Sequence, residues 1–175
     1  LGILHRFLTA EEQVRDLRAI KAHIQKNQLQ LPTAASIGVK DEGIKRAEVL
    51  LNEGVDILTI DIAHGDSIMM IETLKQIKKM APKVDVIAGN IATPDAVRRL
   101  IDHGADAVKV GIGPGSMCTT RIITGHGLPQ LTAVAICVSE ARLHGVPVIA
   151  DGGLRNSGDI VKALTIADAV MCGGL

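Results

Sequence analysis

One junction recurs along this sequence and restricts what the chain can fold into. The segments 53-EGVDILTIDI-62, 103-HGADAVKVGI-112 and 144-HGVPVIADGG-153 each place a glycine where a helical pattern ends and an apolar run directly after it. Glycine commonly ends helices because the left-handed conformation required there costs it little. The recurrence predicts a repeated unit in which strands and helices alternate.

The rest of the sequence continues this alternation. Helical periodicity covers six stretches, roughly 11–25, 42–52, 68–80, 95–102, 131–143 and 159–164. Between them lie short runs rich in valine, isoleucine and alanine: 34–39, 57–63, 84–89, 107–112, 146–151 and 169–173. These runs scarcely alternate with polar residues, which is typical of strands in a parallel sheet covered by helices. Residues 2–5 read as a further strand end, which gives seven strands, and Thr93 and Ser157 are predicted helix N-caps.

Two architectures accommodate this alternation, an open doubly wound sheet and a closed eight-stranded βα barrel. Polar residues or glycines recur at the C-terminal ends of successive strands: Asp61, Asn90, Gly111, Asp151 and Gly173. A barrel gathers one such group from each strand on a shared face, whereas an open sheet concentrates them at one switch point. We therefore predict an α/β fold of the (β/α)8 TIM-barrel class. Because such a barrel needs about 250 residues, we expect residues 1–175 to form one incomplete barrel domain.

Charge and composition exclude several classes of function. Lysine plus arginine and aspartate plus glutamate both number 19, so the formal net charge is zero and no general field attracts nucleic acid or an anionic membrane. Phe7 is the sole Phe, Tyr or Trp residue, which removes the stacking platforms used by single-stranded nucleic acid. No apolar run is long enough to cross a bilayer, and no leader is recognisable. Three cysteines without metal-type spacing indicate reduced thiols and a cytoplasmic protein.

The loop 111-GIGPGSMCTTR-121 contains the strongest candidate for chemistry. Its glycines allow backbone to approach a ligand closely, but glycine and proline mark any turn, so alone they leave a purely structural loop equally open. Cys118 differs from Cys137 and Cys172, which lie in apolar runs and are predicted to be packed and inert. It lies among hydroxyl side chains and an arginine, a setting that stabilises a thiolate. We interpret Cys118 as a nucleophile.

Two further loops fit the binding of an anion. The segment 151-DGGLRNSGDIVKAL-164 carries a glycine pair ahead of a helix start, and 172-CGGL-175 carries a second pair after the last strand. Backbone N–H groups in such turns bind phosphate oxygens, and the last strands of a barrel habitually supply a phosphate site. The predicted ligand is a phosphorylated small molecule, with packing as the alternative role of the glycine pairs.

Side chains at other strand ends are candidates to complete this site. Asp151 is placed to bond a ribose diol, against the alternative of a helix-capping or salt-bridged carboxylate. Asp61 is a candidate for the second ribose of a dinucleotide, and Asn90 for a polar contact on the same face. For His64, a solvated loop position and a functional one are equally supported, and metal binding lacks the spaced partners that it needs.

Together these segments resemble the IMP dehydrogenase / GMP reductase family. The match is carried over nearly the whole chain, in the family's order, by 108-VKVGIGPGSMCTTR-121, 61-DIAHG-65, 88-AGN-90, 124-TGHGLPQLTAV-134 and 150-ADGGLRNSGDIVKAL-164. The resemblance implies an eight-stranded βα barrel, usually a homotetramer, whose loop cysteine attacks C2 of a purine nucleoside monophosphate. In the dehydrogenase, hydride passes from C2 to NAD⁺, and water then releases XMP from the covalent thioimidate.

The resemblance also assigns roles by position. Cys118 matches the nucleophile, and Thr120 matches a threonine beside the reacting centre. Substrate contacts are matched by Ser116, Asp151, Gly152, Gly153, Gly173 and Gly174. The nicotinamide dinucleotide side is matched by Asp61, Asn90, Gly111, Ile112 and Gly113. A K⁺ site that orders the loop in the dehydrogenases is matched by the carbonyl groups of Gly113, Gly115 and Cys118.

The sequence also departs from the family pattern. Family members begin with a segment that supplies the first barrel strand and continue into a mobile flap that activates water. Neither is in this sequence, so the chain by itself is not expected to turn over. Residues 20–36 leave no room for the regulatory CBS modules that dehydrogenases usually carry. Around Thr165 the family's alanine- and glycine-rich turn is missing, which makes the last helix the least supported element.

Three functions stay open at this point. IMP dehydrogenase with NAD⁺ is favoured by 121-RIITGHGLPQLTAV-134. GMP reductase, which runs thioimidate chemistry with NADPH and releases ammonia, is favoured by the missing regulatory modules and the glycine pair at 173–174. A non-catalytic nucleotide-binding fragment would bind phosphate without reaction. Flavin-binding barrels use similar phosphate loops but do not need the cysteine and threonine loop.

Overall fold

Strands and helices alternate along residues 2–173, the part of the chain that the computed structural model describes. Six strands lie in this part: β1 (Ala34–Ile37), β2 (Ile57–Asp61), β3 (Asp85–Ile91), β4 (Ala107–Val110), β5 (Val148–Asp151) and β6 (Ala169–Met171). The helices of the same part are α1 (Ala10–Lys26), α2 (Lys40–Asn52), α3 (Ile68–Met80), α4 (Pro94–Asp102), α5 (Thr120–Thr124), α6 (Gln130–Leu143) and α7 (Ser157–Leu164).

The strands form one parallel sheet in which spatial order follows chain order from β1 to β6. Every neighbouring pair is parallel, as in the register of Leu58 with Val86 and of Val108 with Val148. A doubly wound sheet reverses its strand order at a switch point, whereas a βα barrel adds each strand beside the previous one. The predicted α/β fold of an incomplete barrel is therefore confirmed.

The sheet separates two apolar clusters, which explains the unbroken apolar runs of its strands. On one face, residues such as Leu58, Val86 and Val108 pack with the buried sides of the helices in one large cluster. On the other face, Ile87 and Ala107 belong to a smaller cluster. Because successive side chains of a strand point to opposite faces, both faces require apolar residues. Among residues 2–173, no helix is both long enough and apolar enough to cross a membrane.

The predicted strand at residues 2–5 is wrong in extent. Only Leu4 bridges β1, accepting a hydrogen bond from Ser36 N at 2.7 Å and donating its own N–H to Ala34 O at 3.0 Å. The chain then turns, with Leu8 N donating to His5 O, and enters α1 at its N-cap Thr9. An early turn therefore leaves one paired residue where the apolar pattern suggested a longer strand.

Helix boundaries follow local capping chemistry. Thr93 caps α4 as predicted, accepting from Ala96 N at 3.3 Å. The N-cap of α7 is Asn156 rather than Ser157, with Asn156 Oδ1 accepting from Asp159 N at 3.0 Å. Asparagine and serine cap about equally well, so adjacent candidates are not separated by sequence. The helix α7 forms despite the departure around Thr165.

Candidate functional site

Four consecutive strands deliver polar side chains to one point at the C-terminal edge of the sheet. Lys109 Nζ of β4 donates to Asp61 Oδ1 of β2 at 2.9 Å, to Asp151 Oδ2 of β5 at 2.5 Å, and to Asn90 Oδ1 of β3. Asn90 Nδ2 in turn donates to Gly111 O at 2.7 Å and to Asp151 Oδ2 at 2.9 Å. The structure thus joins residues predicted for two different ligands in one network.

Lys109 is the site residue that our sequence reasoning missed. The pattern of residues 107–110 predicts an apolar strand and gives the lysine within it no role. In the structure the Lys109 side chain is only 3% exposed, and it lies between two fully buried valines. A charged side chain is almost never fully buried unless it is paired. A lysine at an inward position of a buried strand, near carboxylates at neighbouring strand ends, was the available signal.

A cavity of about 430 Å³ opens between the cysteine loop and the loops after β5 and β6. Of the residues predicted for the substrate and the nucleophile, its wall includes Ser116, Cys118, Asp151, Gly152, Gly153 and Gly173. Gly174 lies outside the described residues. Asp151 is indeed salt-bridged, the alternative considered above, but only through Oδ2. Within residues 2–173, its Oδ1 has no hydrogen-bond partner and stays available to a ligand.

A second cavity of about 530 Å³ lies on another side of the same loop. Its wall includes Ile112 and Thr120, together with His64, which is therefore placed beside the site rather than remote from it. Of the residues predicted for the dinucleotide, Ile112 lines this cavity, whereas Asp61, Asn90, Gly111 and Gly113 line neither of the two. Thr120 Oγ1 lies 3.2 Å from Cys118 Sγ, so the cysteine and threonine pair connects the two cavities.

The backbone of the cysteine loop is held by two side chains that lie outside the predicted site. Gln130 Nε2 donates to Val110 O at 2.9 Å and to Asp151 O at 3.1 Å. Arg121 Nε donates to Ile112 O at 3.0 Å, and its Nη2 donates to Leu128 O. The Arg121 side chain packs so closely on Gly113 that an added Cβ there would lie 2.6 Å from its Cγ. The loop therefore needs glycine at position 113, whose φ is +77°.

The three cysteines differ in environment. Cys118 is exposed, and its pKa is lowered, chiefly by its hydrogen bond with the Thr120 side chain and also by the Thr120 backbone and the Arg121 charge. Cys137 is fully buried in α6, which raises the pKa of its thiol to about 12 and confirms the prediction that it is packed. Cys172 is half-buried, less packed than predicted, because it follows β6 at the edge of the described sheet.

The lowered pKa of Cys118 gives a testable pH dependence. Thiolate is the reactive form, so the rate of alkylation by iodoacetamide should rise with pH to a plateau. The midpoint of this rise should lie below the pKa of about 8.5 that is typical of free cysteine. Replacing Thr120 with valine removes the hydroxyl donor at similar volume and should move the midpoint to higher pH. Mass spectrometry of the modified peptide measures the rate, with Cys137 as the unreactive internal reference. A midpoint unmoved in Thr120→Val would contradict the assigned cause.

The chain matches a known protein family over its whole length. The model of the IMP dehydrogenase / GMP reductase domain matches residues 1–175. Inosine-5'-monophosphate dehydrogenase of Aquifex aeolicus is 53% identical over 146 residues, which is 83% of this chain and 30% of that protein. The same enzyme of Halalkalibacterium halodurans is 53% identical over 150 residues, covering 85% of this chain and 31% of that protein.

A relative with a different name is equally similar. GMP reductase of Leishmania donovani is 52% identical over 148 residues, 83% of this chain and 30% of that protein. The chain thus spans about a third or less of the length of these curated relatives. Since the domain match extends over its full length, and since the fold and the cysteine loop agree with it, the chain belongs to the IMP dehydrogenase / GMP reductase family.

Proposed function

We propose that the complete protein containing this chain is a purine nucleotide oxidoreductase of the IMP dehydrogenase type. The observation that carries this proposal is an exposed thiol of lowered pKa, with a hydroxyl 3.2 Å from its sulfur, on the wall of a cavity that also presents a free carboxylate oxygen and glycine-rich turns. Such an arrangement suits covalent attack on a phosphorylated nucleoside.

The cavity of about 430 Å³ supplies the parts that a nucleoside monophosphate needs. Asp151 Oδ1 would accept from ribose hydroxyl groups while its Oδ2 stays anchored on Lys109. The Gly153 backbone N–H, with Ser116 and Gly173, would hold the phosphate, and Gly152, whose own N–H donates to Met171 O at 3.5 Å, would complete the turn around it. The purine would then extend toward Cys118, which lies on the wall of the same cavity.

In this reaction the Cys118 thiolate forms a bond to C2 of IMP, and the C2 hydride leaves. A nicotinamide dinucleotide bound beside Thr120 would supply the acceptor for that hydride. Thr120 holds the sulfur in place and stabilises its anionic form before attack. Water then adds at C2 and the thiolate departs, which gives XMP and restores the free cysteine. Covalent catalysis divides an oxidation and a hydration into two easier steps.

The dinucleotide is proposed to bind along the second cavity, with the nicotinamide near Thr120. Ile112 would form part of the wall against it. Asp61, Asn90 and the backbone of Gly111 and Gly113 would contact the part of the dinucleotide that extends beyond this cavity, with Asp61 accepting from its ribose. The placement is supported by Ile112 and Thr120, which line this cavity, whereas Asp61 lies at the end of β2 outside its wall.

We further propose a K⁺ ion, a homotetrameric assembly and a cytoplasmic location. Carbonyl oxygens suit a hard cation, and those of Gly113, Gly115 and Cys118 belong to one loop. The Gly115 carbonyl also accepts from Cys118 N at 3.1 Å, which closes a turn between two of these residues. Among residues 2–173, no three His, Cys, Asp or Glu side chains cluster as metal ligands, and the K⁺ proposal uses none of them.

GMP reductase is the second candidate, because a relative of that name matches the chain as well as the dehydrogenases do. It would use the same cysteine to expel ammonia from C2 of GMP, with NADPH as hydride donor. An absorbance assay of the complete protein separates the two, offering IMP with NAD⁺ and, separately, GMP with NADPH. We expect NADH to form in the first mixture. Oxidation of NADPH in the second would favour the reductase, and no reaction in either would favour a non-catalytic nucleotide-binding protein.

A further inference from the structure

Lys109 is the most deeply buried charged group at the strand ends. Its side chain is 3% exposed, yet it reaches acceptors from β2, β3 and β5. Removing an ammonium from water is costly, and the cost is offset only when carboxylates and hydrogen-bond acceptors surround it. The buried lysine therefore contributes mainly the arrangement of the acceptors around it rather than net stability.

The charges around it alternate. Arg6 Nε lies 4.0 Å from Asp61 Oδ2, while Asp61 Oδ1 accepts from Lys109 and Lys109 donates to Asp151. Two cations thus balance two carboxylates along the row of strand ends. Arg6 Nε is buried and has no hydrogen-bond partner among residues 2–173, so Lys109 is the cation that fixes both carboxylates by direct bonds.

The two carboxylates face different ligands in the proposed function. Asp151 lines the cavity assigned to the purine nucleotide, and Asp61 is assigned to the ribose of the dinucleotide. Each acid gives one oxygen to the same ammonium and keeps its other oxygen away from it. Lys109 Nζ lies 2.9 Å from Asp61 Oδ1 and 2.5 Å from Asp151 Oδ2. A change in the charge of one carboxylate therefore alters the interaction of the ammonium with the other.

We propose that Lys109 is a positioning residue shared by both nucleotide sites, and that it couples them energetically. The inference rests on the proposed function, because that function assigns one carboxylate to each nucleotide. It adds that the charge of Asp61 affects the affinity of the purine nucleotide site, although Asp61 does not line the cavity of that site.

The test is a double-mutant cycle in the complete protein that reads the KM for the purine nucleotide. Asp61→Asn leaves Lys109 to neutralise Asp151 alone, so Asp151 accepts more weakly from ribose, and this KM should rise by about threefold or more. In the Lys109→Met background the same replacement should change it by less than about twofold. A carboxylate that acts only on the dinucleotide would leave the KM for the purine nucleotide unmoved in both backgrounds.

The single variant Lys109→Met should raise the KM for both nucleotides by about tenfold, as expected for losing a charge-assisted bond. At saturation its kcat should fall far less, because Cys118 and Thr120 are untouched. Lys78→Met is the matched control. Lys78 lies in α3, before β3, and its Nζ is 2.8 Å from the carboxylate of Asp106, which directly precedes β4 at the opposite edge of the sheet. It should keep both KM values. If Lys109→Met fails to fold, the Asp61→Asn variant alone decides.

Equilibrium dialysis of IMP into wild-type and Asp61→Asn protein is run beside the assay. A wild-type protein that binds IMP without reacting removes the proposed function, and a weaker affinity in Asp61→Asn would then show only that Asp61 acts on the IMP site through Lys109. Equal affinity in the two proteins, with turnover intact in the wild type, overturns the coupling and leaves the proposed function standing. Absence of IMP binding by the wild type overturns both.

Discussion

Replacing Cys118 with alanine in the complete protein is expected to abolish turnover while nucleotide still binds. The thiol is exposed on the cavity wall and is hydrogen-bonded to Thr120. Asp151 and the glycine turns, which would hold ribose and phosphate, make no hydrogen bond to this thiol among residues 2–173. Removal of an enzyme's covalent nucleophile lowers kcat by several orders of magnitude, here roughly 10⁴-fold or more. The Kd for IMP should stay within roughly threefold of the wild-type value, since ground-state binding is separate from attack.

The matched control is Cys137→Ala, which makes the same change at a fully buried cysteine whose pKa is raised to about 12. That variant should keep its kcat, with a modest loss of stability from the small cavity left in α6. Rapid-quench measurement of a covalent adduct with IMP completes the comparison. Turnover near the wild-type rate in Cys118→Ala would remove the nucleophile assignment, and an adduct in that variant would place the nucleophile elsewhere.

Replacing Gly111 with alanine is expected to disrupt both the end of β4 and the cavity that Asp151 lines. The φ of Gly111 is +149°, and an added Cβ would overlap the Asp151 carbonyl oxygen and come within 2.9 Å of Gln130 Nε2. Backbone carbonyls of a central strand cannot move away cheaply in a close-packed interior. We expect the free energy of unfolding to fall by about 3 kcal/mol or more, with loss of IMP binding because Asp151 is displaced.

Gly145→Ala separates backbone strain from overlap. Gly145 also has positive φ, +67°, but a Cβ there would meet no atom within 4 Å. It should lower the free energy of unfolding by about 1 kcal/mol, the ordinary cost of a left-handed alanine, and leave binding intact. Urea unfolding of both variants measures the difference. Equal losses at the two positions would show that close approach to Asp151 contributes nothing.

The cysteine loop gains its shape from contacts on both sides. Gln130 from α6 fixes the start of the loop against the ends of β4 and β5, and Arg121 fixes its return by bonding Ile112 O and Leu128 O. The glycines leave room for these side chains and do not make the loop loose. A thiol on a loop anchored in this way keeps a fixed position relative to the two cavities.

Local patterns predicted most of the fold. The glycine junctions and apolar runs placed all six strands of the described residues and all of their helices except α5, because those patterns reflect burial of whole faces. The five residues of α5 are too few to show a helical period. Asn156 and Ser157 are adjacent residues with similar capping ability, so only the hydrogen bond to Asp159 N identifies the cap.

The sequence by itself determined the alternating architecture, the singular chemistry around Cys118 and the family resemblance, since each depends on neighbours along the chain. Only the tertiary structure decided that Lys109 joins Asp61, Asn90 and Asp151 in one network, whose hydrogen bonds connect residues as many as 61 positions apart in the chain. Strand order and register bring these side chains together, and a buried ammonium is tolerated only because they do. Such long-range pairing leaves no periodic trace in a sequence, so a lysine in an apolar strand acquires its meaning from the folded sheet.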